Sequence, residues 1–373
     1  MNADAVVRDL SFAQGGPLRR LEGIWRSARA RERQPWSHRA LTYVALVYAP
    51  VLVIGVAQYL MTGLWPGTMT RVYTHVTALV SLPLLFLSEA LADNRARLIF
   101  AYLVESGIVR EEDLPSLRQI IESHARLRAS VVFEVVLVAI VIASLVAGQV
   151  GLARMSPAGW WQATVATSIF RFLVFRWLWR WALWGVLLFK VARLPLRLTA
   201  THADKLGGLS PLLGLSEVAF VVFMAAVSST AAAGLADLLR IDPDAFASVP
   251  LEALALGLTA LMVAITPLLF FVPTLARVRK EGLRHYGALA HHHDRAFGAR
   301  WVNHPEGALG NPDMSSLADL GTGFSRVEEM RPLLWSPRLV KVVLAGTWVP
   351  FGPLVLFRFG FVELLGRVVQ LVI

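Results

Sequence analysis

The 373-residue chain contains no cysteine. That excludes disulfides, thiolate nucleophiles and cysteine metal sites, and it leaves the redox compartment open. Charge is scarce as well. Only 17% of residues are Asp, Glu, Lys or Arg, where soluble domains carry about a quarter. Lysine is nearly missing: 4 Lys stand beside 32 Arg. Together with the abundant Ala and Leu, that bias points to a bacterial source with a GC-rich genome. Several motifs are lacking. Without a Gly-x-x-x-x-Gly-Lys-Ser/Thr loop or a dinucleotide fingerprint, ATP-driven transport by this chain alone is not expected. His-Glu-x-x-His and the Gly-x-Ser-x-Gly elbow are also absent, which removes the zinc-protease and hydrolase signatures. No cofactor is expected.

Long apolar runs take the place of these features. The chain is 56% hydrophobic, with a mean hydropathy of +0.57. Seven runs are long enough for a hydrocarbon layer about 30 Å thick: Ala40–Trp65, Val72–Ala92, Ala129–Gln149, Trp161–Trp181, Leu212–Leu235, Pro250–Leu275 and Leu339–Phe357. The expected fold class is all-α, a polytopic helical membrane protein with about seven transmembrane helices and a helical cytoplasmic layer. The first run follows a long Arg-rich segment, unlike a cleavable signal peptide.

The net charge of +10 invites a nucleic-acid reading. The loops argue against it. Segments 1–39, 93–128, 190–211 and 276–338 hold 27 Lys and Arg, and the intervening 66–71, 154–160 and 236–249 hold 3. This is the positive-inside pattern. It predicts a cytoplasmic N-terminus, an inner (cytoplasmic) membrane location, and an opposite face for the acidic loop Asp237–Asp244. No nucleic-acid partner is expected.

The organisation then reads as an Arg-rich N-terminal segment (1–39), a first hairpin (40–92), a cytoplasmic helical segment (93–128) and a second hairpin (129–190). A cytoplasmic loop (191–211), a third hairpin (212–275), a cytoplasmic segment (276–338) and a last span (339–373) follow. "LRRLEGIWRSARARER" in the first segment suits either anionic lipid at the inner leaflet or a cover over the cytoplasmic layer. "EEDLPSLRQIIESHARLRAS" places Leu117, Ile120, Ile121, His124 and Leu127 on one helical face, in a helix expected to run straight into the third span. "NHPEGALGNPDMSS" reads as irregular, and residues 358–373 as an interfacial helix. No repeat is evident beyond a similarly placed Glu134 and Glu217.

The most informative stretch is "FRFLVFRWLWRWALW", Phe170 to Trp184, where seven aromatics surround Arg171, Arg176 and Arg180. A central Arg costs about 2.5–3.5 kcal/mol on insertion, and each apolar neighbour returns only a few tenths. Trp160 and Trp161 read as an outer aromatic anchor, and Trp177, Trp179, Trp181 and Trp184 as an inner one. Arg180 would then snorkel, and Arg171 would sit near the midplane. Glu134 falls about 8 Å inside the cytoplasmic end of its span at 1.5 Å per residue. Glu217 and Arg176 lie at similar depth, and Glu89 slightly shallower. Buried charges of opposite sign seek one another. These residues form either packing ion pairs or a polar path with a gate. Arg171 has no acid at its depth; Ser144, Ser228, Ser229 and Thr259 are its polar options.

A second constellation is "THADKLGGL", with His202, Asp204, Lys205, Gly207 and Gly208. Paired glycines allow a tight turn that exposes amides to an anion; a plain turn between spans fits as well. This loop, with "SSLADLG" (Ser315 to Gly321) before the last span, resembles a group of uncharacterised polytopic inner-membrane proteins of proteobacteria. The group's His-Pro-Asp is here His202-Ala203-Asp204. The resemblance covers most of the membrane part, and it implies architecture with no activity attached. "HYGALAHHHDR" offers His285 and His292 on one helical face, but consecutive histidines point apart, so no metal site is expected.

The leading functional expectation is a channel or secondary transporter for a small ion or anion, with a charged path among the helices. The alternative is a non-transporting scaffold or sensor that recruits a cytoplasmic partner. A membrane-embedded enzyme using His202 and Asp204 is third, so an enzyme is the less expected outcome. An oligomer fits any of the three. The charge pattern yields a direct test. Cytoplasmic reporters fused after residues 115, 205 and 310 should be active, and those after 68, 156 and 243 silent; one inverted result at 205 overturns the topology.

Overall fold

A computed structural model of the chain describes residues 11–12, 35–147, 155–302 and 312–355. They form helices throughout, with no strand among the described residues. Most of the N-terminal stretch and residues 358–373 lie outside them.

Nine helices follow in order among the described residues: α1 (Trp36–Thr62), α2 (Val72–Glu105), α3 (Leu114–Arg128), α4 (Val131–Ala147), α5 (Pro157–Val191), α6 (Ser210–Leu239), α7 (Pro243–Val302), α8 (Pro312–Glu328) and α9 (Pro337–Trp348). Five of these (α1, α2, α5, α6 and α7) are long and apolar enough to cross a membrane. The consecutive α3 and α4 pass the same test only as a pair bent by 41°. The chain is therefore a multi-pass helical membrane protein, and its described residues hold five helices able to cross a membrane, or six if the bent pair is one span. The expected seventh span is helical as α9, continues as a 3-10 stretch Val349–Leu354, and runs out of the described residues.

The bend corrects the expectation that the 113–128 helix runs straight into the next span. Ala129 ends α3, and its N–H bonds Ala125 O. Leu117, Ile121 and His124 are buried, as the apolar face predicts, with Leu114 beside them, while Ile120 is half-buried and Leu127 exposed. A second correction concerns 303–316. Residues 303–311 lie outside the described set, but Pro312 opens α8, so "SSLADLG" is helical. Proline suits the first turn of a helix, where its missing N–H leaves no bond unmade.

The α2–α6 pair forms the centre of the bundle. α1 packs on α2, α9 lies between α6 and α7, and α5 contacts α1, α3, α4 and α7. At the loop end, the Asp237 carboxylate accepts the N–H groups of Val72 and Tyr73 at 2.8 and 3.0 Å. A carboxylate there satisfies free amides and opposes the helix dipole of α2. His75 is a packing residue, bonded to Tyr48 Oη (2.7 Å) and Met69 O (2.9 Å).

Among the described residues four helices contain a π turn: Thr77–Ser81 in α2, Gln162–Ala166 in α5, Leu215–Phe220 in α6 and Gly298–Val302 in α7. The α2 turn precedes Pro83, and a 3-10 break at Thr266–Phe271 in α7 contains Pro267. Each break rotates the face that the rest of its helix presents. Beyond the 3-10 break, α7 continues as a polar arm that packs against α8. At 1.5 Å per residue its 60 residues reach about 90 Å along the chain, far more than a bilayer needs. The His-rich "HYGALAHHHDR" lies on this arm.

Candidate functional site: a buried arginine cluster

The expected inner belt of tryptophans is not an anchor. Trp177, Trp181 and Trp184 are spaced at i, i+4 and i+7, and all three are buried in the core. Trp177 stacks on Phe223 with centroids 3.8 Å apart, beside Trp181 and Phe220. Trp179 turns the other way and stacks on Phe133 of α4 at 3.7 Å. The helical period that buries this face also carries Arg176 and Arg180 inward.

Arg180 does not snorkel. It is buried, and its Nη1 donates to Glu89 Oε1 at 2.7 Å. The other oxygen of Glu89 accepts from Arg39 Nη1 at 3.2 Å. One buried carboxylate on α2 thus joins α1 and α5. Arg39 was counted by sequence with the cytoplasmic segment, yet it lies in the first turn of α1 and is itself buried. The clue was an excess of acids, since Glu89, Glu134 and Glu217 fall near the depth of only Arg176 and Arg180.

Arg176 is the least satisfied member. Its side chain is 2% exposed, and its nearest acid is Glu134 Oε1, 4.0 Å from Nε. None of its three nitrogens makes a hydrogen bond among the described residues. A guanidinium has five donors in a rigid fork, and a buried, unbonded polar group costs about 1–3 kcal/mol, more when charged. Ser11 and Phe12 pack beside the cluster. Ser11 Oγ donates to Asp93 Oδ1 at 2.8 Å, Phe12 N donates to the same oxygen, and the Phe12 ring lies 5.6 Å from that of Trp177.

Two expected members lie elsewhere. Glu217 does not meet Arg176. It accepts from Ser336 Oγ at 2.9 Å and lies 3.7 Å from Arg338 Nε, at the start of α9. Arg171 is exposed on the outside of α5, where its Nη1 donates to Ser144 Oγ at 3.2 Å. It does not line the interior. Helix α4 buries little beyond Val141 and touches the bundle mainly through α5. The Arg171–Ser144, Phe133–Trp179 and Arg176–Glu134 contacts hold it there.

Sequence reasoning named Ser228 only as a partner for Arg171 and missed the group of hydroxyls it belongs to. Thr74, Thr77, Ser81, Ser228 and Thr230 are buried where α2 packs on α6. Thr230 Oγ1 donates to Ser81 Oγ at 2.8 Å, while the hydroxyls of Thr74, Thr77 and Ser228 are unpartnered among the described residues. Ser81 and Glu89 are eight residues apart on α2, about 12 Å along the helix.

The "THADKLGGL" loop uses its amides internally. Asp204 Oδ1 accepts from Leu206 N (2.8 Å) and Gly208 N (3.1 Å), and Oδ2 accepts from Gly208 N and Ser210 N (both 3.1 Å). Burial alone would raise its pKa, but these amides, with His202 Nδ1 at 2.8 Å, hold the carboxyl below its usual range. Lys205, Gly207 and Gly208 all have positive φ, which glycine tolerates and lysine adopts at a cost. Lys205 in turn binds Glu329 at 2.7 Å. The expected external anion is replaced by the loop's own carboxylate, and that same saturation leaves Asp204 a poor general base. On α7, His285 and His292 are not joined in a metal site: among the described residues no three His, Asp or Glu side chains converge as a metal would require.

Two outcomes follow. Glu89→Gln strands Arg39 and Arg180 and should cost about 3–5 kcal/mol, read as loss of folded protein on size-exclusion chromatography. Adding Arg180→Met should recover part of it; strictly additive losses would refute the pairing. Asp204, with a lowered folded pKa, stabilises the loop above its unfolded pKa and loses that contribution as pH falls through the folded value. The acid side of the melting-temperature profile should therefore flatten in Asp204→Asn, and an unchanged profile would refute the assignment. No family model, curated protein or solved structure matches this chain, so its function is argued from its own residues.

Proposed function

We propose that the chain is a channel or secondary transporter for a small anion, seated in a bacterial inner membrane with its N-terminus in the cytoplasm. The single observation that carries this reading is Arg176. A cation buried only to fix helix packing would be saturated by acids and carbonyls, because an unmet charge in the interior is too costly. Arg39 and Arg180 each bond an oxygen of Glu89. Arg176 bonds no acid: the Glu134 carboxylate is 4.0 Å away, Glu89 acts on it only through space, and its three nitrogens are unused among the described residues.

An anion drawn to Arg176 would complete those donors. Glu134 is its natural competitor, and it sits on the loosely packed α4, bent away from α3. Displacement of α4 would exchange the Glu134 carboxylate for a solute anion, which is the switchable pairing a gate needs. The buried hydroxyls between α2 and α6 begin about 12 Å from Glu89, at Ser81, and continue away from the charges through Thr77 to Thr74. The proteobacterial resemblance of the His202–Leu209 loop agrees with the inner-membrane placement proposed here.

A second reading, a scaffold or sensor without transport, draws on the closed Arg39–Glu89–Arg180 triad and the polar α7–α8 hairpin, a surface suited to a cytoplasmic partner. Reconstitution separates the two. Liposomes containing the protein should pass chloride, nitrate or phosphate faster than empty ones. Arg176→Gln should fold normally and reduce flux at least tenfold, while Arg171→Leu should keep both folding and flux. Flux equal to that of empty liposomes, or full flux in Arg176→Gln, would leave the scaffold reading.

A further inference from the structure

On the outer side of α5, away from the arginine cluster, lies an open groove of about 520 Å³. One wall is α5, with Leu178, Val186 and Phe189; the other is α7, with Val263, Pro267 and Phe270. The groove exists because of two sequence features. Gly185 carries no side chain at its floor: a Cβ there would meet Phe270 and Pro267 only at 3.9–4.0 Å. The 3-10 break Thr266–Phe271 holds its prolyl turn against that glycine rather than continuing α7 straight. The polar groups in the lining are already used. Trp181 Nε1 donates to Val263 O at 3.0 Å, and Thr266 Oγ1 donates to Met262 O at 2.7 Å. Nothing along the groove asks for a hydrogen bond, so its occupant is hydrocarbon there.

Its dimensions and its end identify the occupant further. From Leu178 to Phe189 the groove follows α5 for about 16 Å at 1.5 Å per residue. That is close to one leaflet of a hydrocarbon core about 30 Å thick. Beyond its far end stand two cations. Arg193, one turn beyond Phe189, is exposed, and its guanidinium lies 4.0 Å from the Phe189 ring centroid. Arg277, two turns beyond Phe270 on the same face of α7, is exposed too. The two helices are joined at this level by Thr274 Oγ1, which donates to Ala192 O at 3.4 Å. A guanidinium is suited to phosphate oxygens, and cations at the membrane surface attract anionic headgroups.

We propose that this groove is a specific site for an anionic phospholipid, with an acyl chain between α5 and α7 and the phosphate held by Arg193 and Arg277. The site is separate from the arginine cluster and stands or falls independently of transport.

The test uses the full chain, delipidated in detergent, with phosphatidylglycerol and phosphatidylcholine of identical acyl chains, and counts retained lipid by native mass spectrometry. Phosphatidylglycerol should be retained at least fivefold better, and inorganic phosphate should not displace it. Arg193→Gln with Arg277→Gln alters only exposed groups and should bring phosphatidylglycerol down to the phosphatidylcholine level. Val186→Trp, also at a partly exposed position, should fill the groove and reduce both lipids. Equal retention of the two lipids, or a preference that survives the double arginine variant, overturns the site. So does efficient crosslinking of Val186→Cys between copies: the chain has no other cysteine, and that result would place a second copy in the groove.

Discussion

The Glu89 carboxylate sets the terms for the rest of the bundle. Three arginines, Arg39, Arg176 and Arg180, are buried near it, and each would cost a few kcal/mol to place in hydrocarbon alone. One acid cannot neutralise three cations. Glu89 takes two of them with its two oxygens, so α1, α2 and α5 are fixed in register around a single side chain. The third arginine is left to a distant Glu134. The packing of the peripheral α4 follows from that shortage, because the helix brings the acid that Arg176 lacks.

The aromatic residues make this arrangement possible. Arg176 and Arg180 lie among Trp177, Trp181, Phe220 and Phe223, whose ring faces are closely packed. Rings of this size exclude water and lower the local dielectric, which strengthens each ion pair and raises the cost of an unmet donor. The same environment that locks Arg180 leaves the donors of Arg176 unused among the described residues. The π turns in α2, α5 and α6 each bury a polar side chain within the turn: Thr77 and Ser81, Gln162, and Ser216.

Outside the cluster, the chain solves polar problems locally. Asp204 fills its own glycine-rich loop, and Asp237 caps α2. Glu217 serves the first turn of α9 with Ser336. Each of these acids sits among backbone amides or next to a helix start, so each is consumed by folding. This division explains why three of the acids that the sequence marks as candidates, Glu89, Glu134 and Glu217, end in such different roles. Depth along a helix is computable from residue counts, but azimuth is not. Glu217 and Glu134 share a depth and face different neighbours.

The sequence by itself determined the class. Apolar runs of spanning length, scarce charge and aromatic-rich helices admit an all-α membrane bundle and little else, because only internally bonded helices satisfy a backbone in hydrocarbon. It also determined which residues matter most, since an Arg within an apolar helix demands an explanation wherever it lies. Tertiary structure alone decided the partners. Arg39 entered the interior because α1 packs on α2. Arg171, one turn and a fraction from Arg176, turned outward because a residue five positions away on a 3.6-residue helix lies at a different azimuth. The loop carboxylate turned inward because Gly207 and Gly208 let the backbone wrap around it. Pairing among buried charges is a long-range outcome of helix rotation, and rotation is set by the packing of every neighbour at once.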